Sequence, residues 1–127
     1  MKVKEIDIQF LCVKVIYTEL AVEDNYKTIE DTLVNIANTL QLNNEDVEEL
    51  KSKALNGMNG GVTYTNYSVK KTWIIVFPCT TEAKRFQVIN HEKRHAEDDI
   101  LKLCNINDAE TAGYLAGYLG MFLANNS

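Results

Sequence analysis

The sequence predicts an α+β domain in which a small antiparallel sheet, made of an N-terminal strand and a hairpin, is packed with about four helices. Near the N-terminus apolar residues recur at every second position, and in later segments at every third or fourth. These are the periods of half-buried strands and amphipathic helices. A chain of 127 residues is long enough for one core and short for two. Residues 1–127 are therefore predicted to form a single domain.

The first half of the chain predicts one strand and two helices. Residues 4–17 alternate apolar and polar side chains, which is typical of a strand. Residues 26–41 carry apolar side chains at helical spacing. Asn43 is suited to cap a second helix, and the glycines within 56–61 are suited to end it. The apolar side of the first strand is predicted to carry Ile6, Ile8, Phe10 and Cys12.

The second half predicts a hairpin and two more helices. Residues 62–78 form two apolar runs around a turn near 68–71, and the only proline of the chain ends the second run. A helix is expected from about residue 80 to about residue 104. A final helix with an apolar stripe is expected from 107 or 108 to about 124.

Composition limits the classes of function. The formal net charge of −5 disfavours nucleic-acid binding, because phosphate groups require a basic surface. No apolar run is long enough to span a bilayer, so no membrane partner is expected. The 3 cysteines include no C-x-x-C pair, which predicts free thiols in the cytoplasm. Cys12 lies in an apolar run and is expected to be buried.

A short motif carries the candidate chemistry. His91, Glu92 and His95 form an H-E-x-x-H pattern, and the chain has no histidine outside it. Residues four apart share one face of a helix, so two imidazoles could bind the same tetrahedral Zn²⁺. Glu92 lies off that face. It is predicted to act as a general base on water activated by the zinc.

Zinc requires a third protein ligand, and Glu110 is the preferred candidate. The spacing reads H-E-x2-H-x14-E, and 14 intervening residues suffice to finish one helix and start an antiparallel one. The open alternatives are Asp98, Asp99 and Asp108. Asp99 would place three ligands in a line along one helix, which suits a tetrahedron poorly.

Tyr114 is the second predicted catalytic residue. It follows Glu110 by one helical turn, and its phenol could donate a hydrogen bond to a developing oxyanion. The competing interpretation is an amphipathic tyrosine at a helix surface. Gly113, Gly117 and Gly120 recur along the same predicted helix. Glycine disfavours helix, so these three residues predict a close helix–helix approach that would bring Glu110 towards the motif.

The stretch NHEKRHAEDDILKLCNINDAETAGYLAGYLG resembles the C-terminal half of small zincin-like proteins encoded by bacteriophages and related mobile elements of bacteria. The shared pattern is H-E-x-x-H-A, an amphipathic stretch, a turn, and an acidic residue four positions before Y-L-x-G-Y. The resemblance covers residues 60–123, including a hairpin ahead of the motif. It implies a gluzincin-type site with His91, His95 and Glu110 on Zn²⁺ and Glu92 as the base. It also implies a cytoplasmic or virion-associated protein.

Three functions follow from these patterns. The first is a zinc-dependent hydrolase, a minimal metallopeptidase whose strand 72–77 pairs with an extended peptide substrate. The second is a non-catalytic, zincin-derived structural or interaction protein of a phage or mobile element, with or without zinc. The third is a metal-free adaptor. Lys93 and Arg94 stand where zinc peptidases usually carry uncharged residues. The sequence therefore predicts zinc binding more directly than peptidase activity.

Overall fold

The computed structural model describes residues 1–126. Four strands form one sheet in the order β1-β2-β4-β3, and 4 α-helices pack on it. The elements are β1 (Lys2–Ile8), β2 (Val13–Glu19), α1 (Tyr26–Thr39), α2 (Asn44–Asn56), β3 (Gly61–Asn66), β4 (Lys71–Val76), α3 (Glu82–Leu103) and α4 (Ala109–Asn126). The predicted α+β class, with a small sheet and about four helices, is confirmed.

The N-terminal segment forms two strands where the sequence predicted one. A 3₁₀ turn at Gln9–Leu11 reverses the chain, and β1 pairs with β2 in antiparallel fashion. Cys12 ends that turn in the left-handed region, with φ 56°. The prediction that Cys12 is buried was therefore wrong, because the turn exposes its side chain. All three cysteines are free thiols, as predicted.

The sheet is mixed rather than wholly antiparallel. β2 pairs with β4 in parallel, and β3 pairs with β4 in antiparallel register. β4 is therefore internal and has no free edge, which corrects the prediction that residues 72–77 could pair with a peptide. Within residues 1–126, β3 pairs only with β4, so its outer edge is free.

Two hydrophobic cores lie on opposite faces of the sheet because side chains alternate along each strand. Trp73 and Ile75 face α1 and α2, whereas Ile74 and Val76 face α3 and α4. The first core also contains Ile16, Leu33, Leu40 and Leu50. The second also contains Tyr17, Ala96, Ile100, Leu115 and Leu119. The fold therefore has three layers, with the motif helix packed directly on the sheet.

Side chains fix where the helices begin and how α3 sits on the sheet. Asn43 caps α2 as predicted, accepting from the N–H of Asp46, and the Thr81 hydroxyl caps α3. Near that end of α3, Arg85 Nη2 lies 2.7 Å from Glu19 Oε1 on β2. These contacts fix the direction and position of α3 at its N-terminal end, ahead of the motif in the chain. In residues 1–126 no helix has the length and apolarity to cross a membrane.

Candidate metal centre

His91 and His95 lie one above the other on the exposed side of α3. Their Nε2 atoms are 3.1 Å apart, and the rings meet edge to face with centroids 4.6 Å apart. An N–H···N hydrogen bond between the rings accounts for this separation. The separation also matches two nitrogens on one tetrahedral zinc ion, which lie roughly 3.3 Å apart for bonds of about 2.0–2.1 Å. The distance between the two nitrogens thus fits both a hydrogen bond and a shared ion.

Glu92 points into the layer between α3 and β3. The residue is only 5 % exposed, and its Oε1 accepts a hydrogen bond from Thr63 Oγ1 at 2.9 Å. No ion pair among residues 1–126 includes Glu92. Buried carboxylates are normally paired with a cation, whereas the Glu92 carboxylate is bound by a threonine hydroxyl.

A second contact continues this polar layer. Asp99 Oδ2 accepts a hydrogen bond from Thr65 Oγ1 at 2.8 Å. Thr63 and Thr65 are two apart on a strand, and Glu92 and Asp99 are seven apart on a helix, so each pair shares a face. The sequence analysis did not single out these threonines, although their alternation in GVTYTN was a signal that they share one face of the strand. Together the two contacts fix β3 against α3.

A cleft of about 360 Å³ opens where the start of β3 approaches the N-terminal half of α3. Its walls include Gly60, Lys84, His91 and Glu92. Gly61 permits the close approach, since a Cβ there would lie 2.9 Å from Glu92 Cγ and 2.6 Å from the Ile75 main-chain oxygen. One histidine and the predicted base therefore border the same cavity, beside the free edge of β3.

The charged residues inside the motif point away from this cleft. Lys93 forms an ion pair with Glu97 on the side of α3 that faces α4. Arg94 is exposed and lies 3.8 Å from Asp98. Neither side chain lines the cavity, so the charged pair that departs from the usual zinc-peptidase pattern leaves the histidines accessible.

The structure does not bring Glu110 to the histidine pair. α4 packs on the Lys93 side of α3, where Lys93 Cε lies 3.5 Å from the position of a Cβ on Gly120. At 3.6 residues per turn, both histidines point about 160° away from Lys93. Glu110 is exposed, roughly 15 Å along α4 from Gly120, and points about 140–180° away from the buried leucines of its helix.

Only one of the three glycines of α4 makes the predicted close approach. Gly120 does so, next to Lys93, whereas a Cβ on Gly113 or Gly117 would meet nothing within 4 Å. The prediction was wrong for these two residues because they lie on the exposed face of α4. Because α4 contacts α3 at Gly120 beside Lys93, the contact between the two helices does not bring Glu110 to the histidines.

Tyr114 lies away from the cleft. Its side chain is 69 % exposed and borders a shallow apolar groove of about 270 Å³ with Phe10 and Tyr118. Phe10 and Tyr118 meet edge to face, with centroids 6.2 Å apart. Within one chain, the Tyr114 phenol and the Glu92 carboxylate line different cavities.

The alternative acidic ligands are also not assembled around the histidines. Asp98 is exposed, and Asp99 is engaged by Thr65. Asp108 caps α4 by accepting from the N–H of Thr111 at 2.8 Å. Across residues 1–126, no group of 3 or more histidine, cysteine, aspartate and glutamate side chains is placed to hold a metal ion. Among residues 1–126, the histidine pair is thus not accompanied by a third side chain of these types.

Comparison with known proteins adds no relative: no family model, curated protein or solved structure matches this chain. The functional argument therefore rests on the geometry of the histidine pair, the buried glutamate and the cleft that His91 and Glu92 line.

Proposed function

We propose that this chain is a zinc-dependent hydrolase of the minimal H-E-x-x-H type, acting on extended peptides. The observation that supports it most directly is the 3.1 Å separation of the His91 and His95 Nε2 atoms. The two rings share a hydrogen bond in the chain without metal, and two imidazole nitrogens at this spacing can also bind one divalent ion. Zn²⁺ is favoured because imidazole donors suit it well.

The fit to zinc is partial within a single chain. His91 and His95 would hold the ion and would supply two of its four ligands. Catalytic zinc normally has three protein ligands and one open position.

Glu92 has the placement of a general base. When bound, zinc supplies Lewis acidity and lowers the pKa of a coordinated water. Glu92 lines the same cleft as His91, where its carboxylate would accept a proton from the attacking water. Thr63 donates to Oε1, which holds the carboxylate in one orientation and leaves its other oxygen for proton transfer.

The free edge of β3 supplies a binding surface for a peptide. Unpaired main-chain groups at a sheet edge bind an extended segment by β-augmentation. The cleft adjoins this edge at Gly60 and Gly61, so a peptide paired with β3 would pass His91 and Glu92. The structure thus supports β3 in the role that the sequence analysis gave to residues 72–77.

The first experiment measures metal binding. Purified protein is stripped with a chelator, titrated with Zn²⁺ by calorimetry and compared with H91A and H95A. We expect zinc to bind the wild type and both variants to bind it more than about 100-fold more weakly, a loss beyond that of outer-shell partners. R94A is the matched control, an exposed neighbour on the same turn. Equal binding by wild type and H95A contradicts the proposal.

The second experiment separates catalysis from binding. Zinc-loaded wild type and E92Q are incubated with a peptide library, and cleavage is followed by mass spectrometry. E92Q should retain zinc and lose about 10²–10⁴-fold in turnover, the usual contribution of a general base. Absence of cleavage by the zinc-loaded wild type, or equal activity of E92Q, contradicts hydrolysis while leaving zinc binding intact.

A non-catalytic interaction protein is the second candidate, and the exposed apolar face of α4 favours it. Tyr114, Tyr118 and Met121 are all exposed, and apolar patches of this kind mark interaction sites. In this form zinc would stabilise an assembly without turnover. If the wild type assembles only with zinc, and neither zinc-loaded wild type nor E92Q cleaves a peptide, the results would support this candidate.

A further inference from the structure

We propose that the cleft at the start of β3 binds the C-terminal carboxylate of an extended polypeptide, with Lys84 as the cation that receives it. The polypeptide pairs antiparallel with the free edge of β3. The proposal rests on the peptide pairing of the proposed function, and it adds which end of the peptide is bound and in which direction. Zinc is not required, so metal-free protein is sufficient for the test.

The two edge strands of the sheet differ in charge. The strand order places β1 and β3 at the edges. β1 carries exposed charged side chains at Lys2, Lys4, Glu5 and Asp7, and such charges on an edge strand oppose pairing with a further strand. β3 has the sequence GVTYTN and no charged residue. β3 is therefore the edge suited to bind another extended chain.

Main-chain groups at every second residue of β3 face the free edge. The Phe77 N–H donates to the Gly60 oxygen, so Gly61, the next residue, occupies a position of the ladder that is not hydrogen-bonded to β4. Thr63 and Thr65 follow at equivalent positions, because bonded and non-bonded pairs alternate. The N–H and C=O groups of these three residues point away from β4, where they can bind the main chain of one further strand.

α3 runs beside β3 in the same direction. The position of a Cβ on Gly61 lies 3.1 Å from Val88 Cγ1, and further along both elements Thr65 donates to Asp99. A strand added to β3 would therefore lie alongside α3. The cleft of about 360 Å³ opens at the Gly61 end of this groove.

Lys84 is the cation of the cleft. It lines the cavity with Gly61 and Gln87, and its ammonium donates to the Gln87 amide oxygen over 3.2 Å. Among residues 1–126 it forms no ion pair. The other charged residue of the lining is Glu92, whose carboxylate is bound by Thr63. An ammonium without a carboxylate partner favours an anionic ligand, because charge-assisted hydrogen bonds are the strong ones.

The position of Lys84 determines the direction of the bound chain. A chain antiparallel to β3 runs towards Gly61, so its C-terminal end reaches the cleft. A chain parallel to β3 would bring its carboxylate towards Thr65, whose hydroxyl donates to the Asp99 carboxylate, and like charges repel. A terminal carboxylate also continues the line of the main chain that β3 binds, whereas an acidic side chain points to one face of the sheet.

The first test compares free and blocked C-termini. Immobilised metal-free protein is incubated with a library of hexapeptides, which match the 6 residues of β3, and retained peptides are identified by mass spectrometry. Each is then synthesised with a free carboxylate and as the C-terminal amide, and binding is measured by fluorescence anisotropy. The amides should bind about 10–100-fold more weakly, as expected for the loss of a hydrogen bond between charged groups.

The second test removes the cation. K84Q should weaken binding of the free acid by the same factor and leave binding of the amide unchanged, because both changes remove one contact. K102Q is the matched control, an exposed lysine on the same side of α3 about 27 Å further along the helix. It should bind both forms of the peptide as the wild type does. Circular dichroism checks that both variants fold.

N-methylation of the peptide tests the pairing with β3 without altering the protein. A methyl group on a main-chain nitrogen removes its N–H donor, and only alternate N–H groups of the peptide face β3. Methylation should therefore weaken binding strongly at every second residue and much less at the residues between. Equal losses at all positions would contradict strand pairing.

Other results separate this inference from the proposed function. Equal binding of free acids and amides, through acidic side chains or otherwise, overturns recognition of the chain end, as does undiminished binding of free acids by K84Q. If metal-free protein binds free acids and zinc-loaded protein cleaves nothing, this inference stands and hydrolysis is contradicted. If no peptide is retained, this inference falls, whereas zinc binding is decided by its own titration.

Discussion

Thr63 Oγ1 on β3 donates a hydrogen bond over 2.9 Å to Glu92 Oε1 on α3. This contact joins β3, one of the two edge strands, to the motif helix and holds a buried carboxylate beside the cleft. It connects residues 29 positions apart in the chain. The orientation of the predicted base is thus a property of the layer between helix and sheet.

Replacement of Thr63 by valine should destabilise the fold. Valine keeps the shape of threonine and removes the donor, which leaves Glu92 buried without its hydroxyl partner. We expect a loss of about 1–3 kcal/mol in the free energy of unfolding, typical of a buried polar group left without its partner. Urea denaturation measures it.

T63S is the control because it retains the hydroxyl group. It should recover most of the stability that T63V loses. If T63V and T63S are equally stable, the Thr63–Glu92 contact contributes nothing to folding. The combination T63V/E92Q should be less destabilised than the sum of the single changes, since the two residues contact each other.

Replacement of glycine by alanine should change the stability of the fold in opposite directions at Gly61 and Gly117. At Gly61 an added Cβ would lie 2.6 Å from the Ile75 main-chain oxygen and 2.9 Å from Glu92 Cγ. G61A should therefore destabilise the fold by about 1–3 kcal/mol, the range for overpacking. At Gly117 the added methyl group meets open space. G117A should stabilise the isolated chain by about 0.5–1 kcal/mol, because alanine favours helix.

Thermal unfolding of both variants without zinc provides the comparison. Equal effects of G61A and G117A would contradict the structural distinction between a crowded and an open glycine. A loss of stability in G117A would indicate that the outer face of α4 is already covered in the metal-free protein.

Acid should weaken the start of α4 through Asp108. Hydrogen bonds from the side chain and the main-chain N–H of Thr111 lower the pKa of Asp108 below its usual value. A depressed carboxyl pKa adds stability above the ordinary aspartate pKa of about 3.9, and that stability is lost as pH falls through the folded-state pKa. D108A should therefore be less stable than wild type at neutral pH, and the difference should shrink below about pH 4.

D108N is the matched control because asparagine caps a helix without titrating. It should resemble wild type at neutral pH and lose less stability in acid. Chemical denaturation of the three proteins at pH 7 and in acid distinguishes these outcomes. A D108A difference that does not change with pH would contradict the assigned role of the carboxylate.

Features that depend on neighbouring residues were predictable from the sequence. Helical spacing alone puts His91 and His95 on one face, because four residues make about one turn. The Asn43 cap was predictable for the same reason, since the capping hydrogen bond spans only three residues. Alternation of apolar residues likewise predicted strands and the general class of the fold.

Features that depend on distant partners were decided by tertiary structure. Spacing allowed Glu110 to reach the histidines, yet α4 buries Leu115 and Leu119, and burying them turns Glu110 towards solvent. The sequence also did not determine that β3 rather than β4 is an edge strand, because β4 lies inside the sheet through its parallel pairing with β2. The orientation of α4 and the order of the strands minimise the exposed apolar area of the whole chain. The alignment of His91 with His95 depends only on the geometry of one helix.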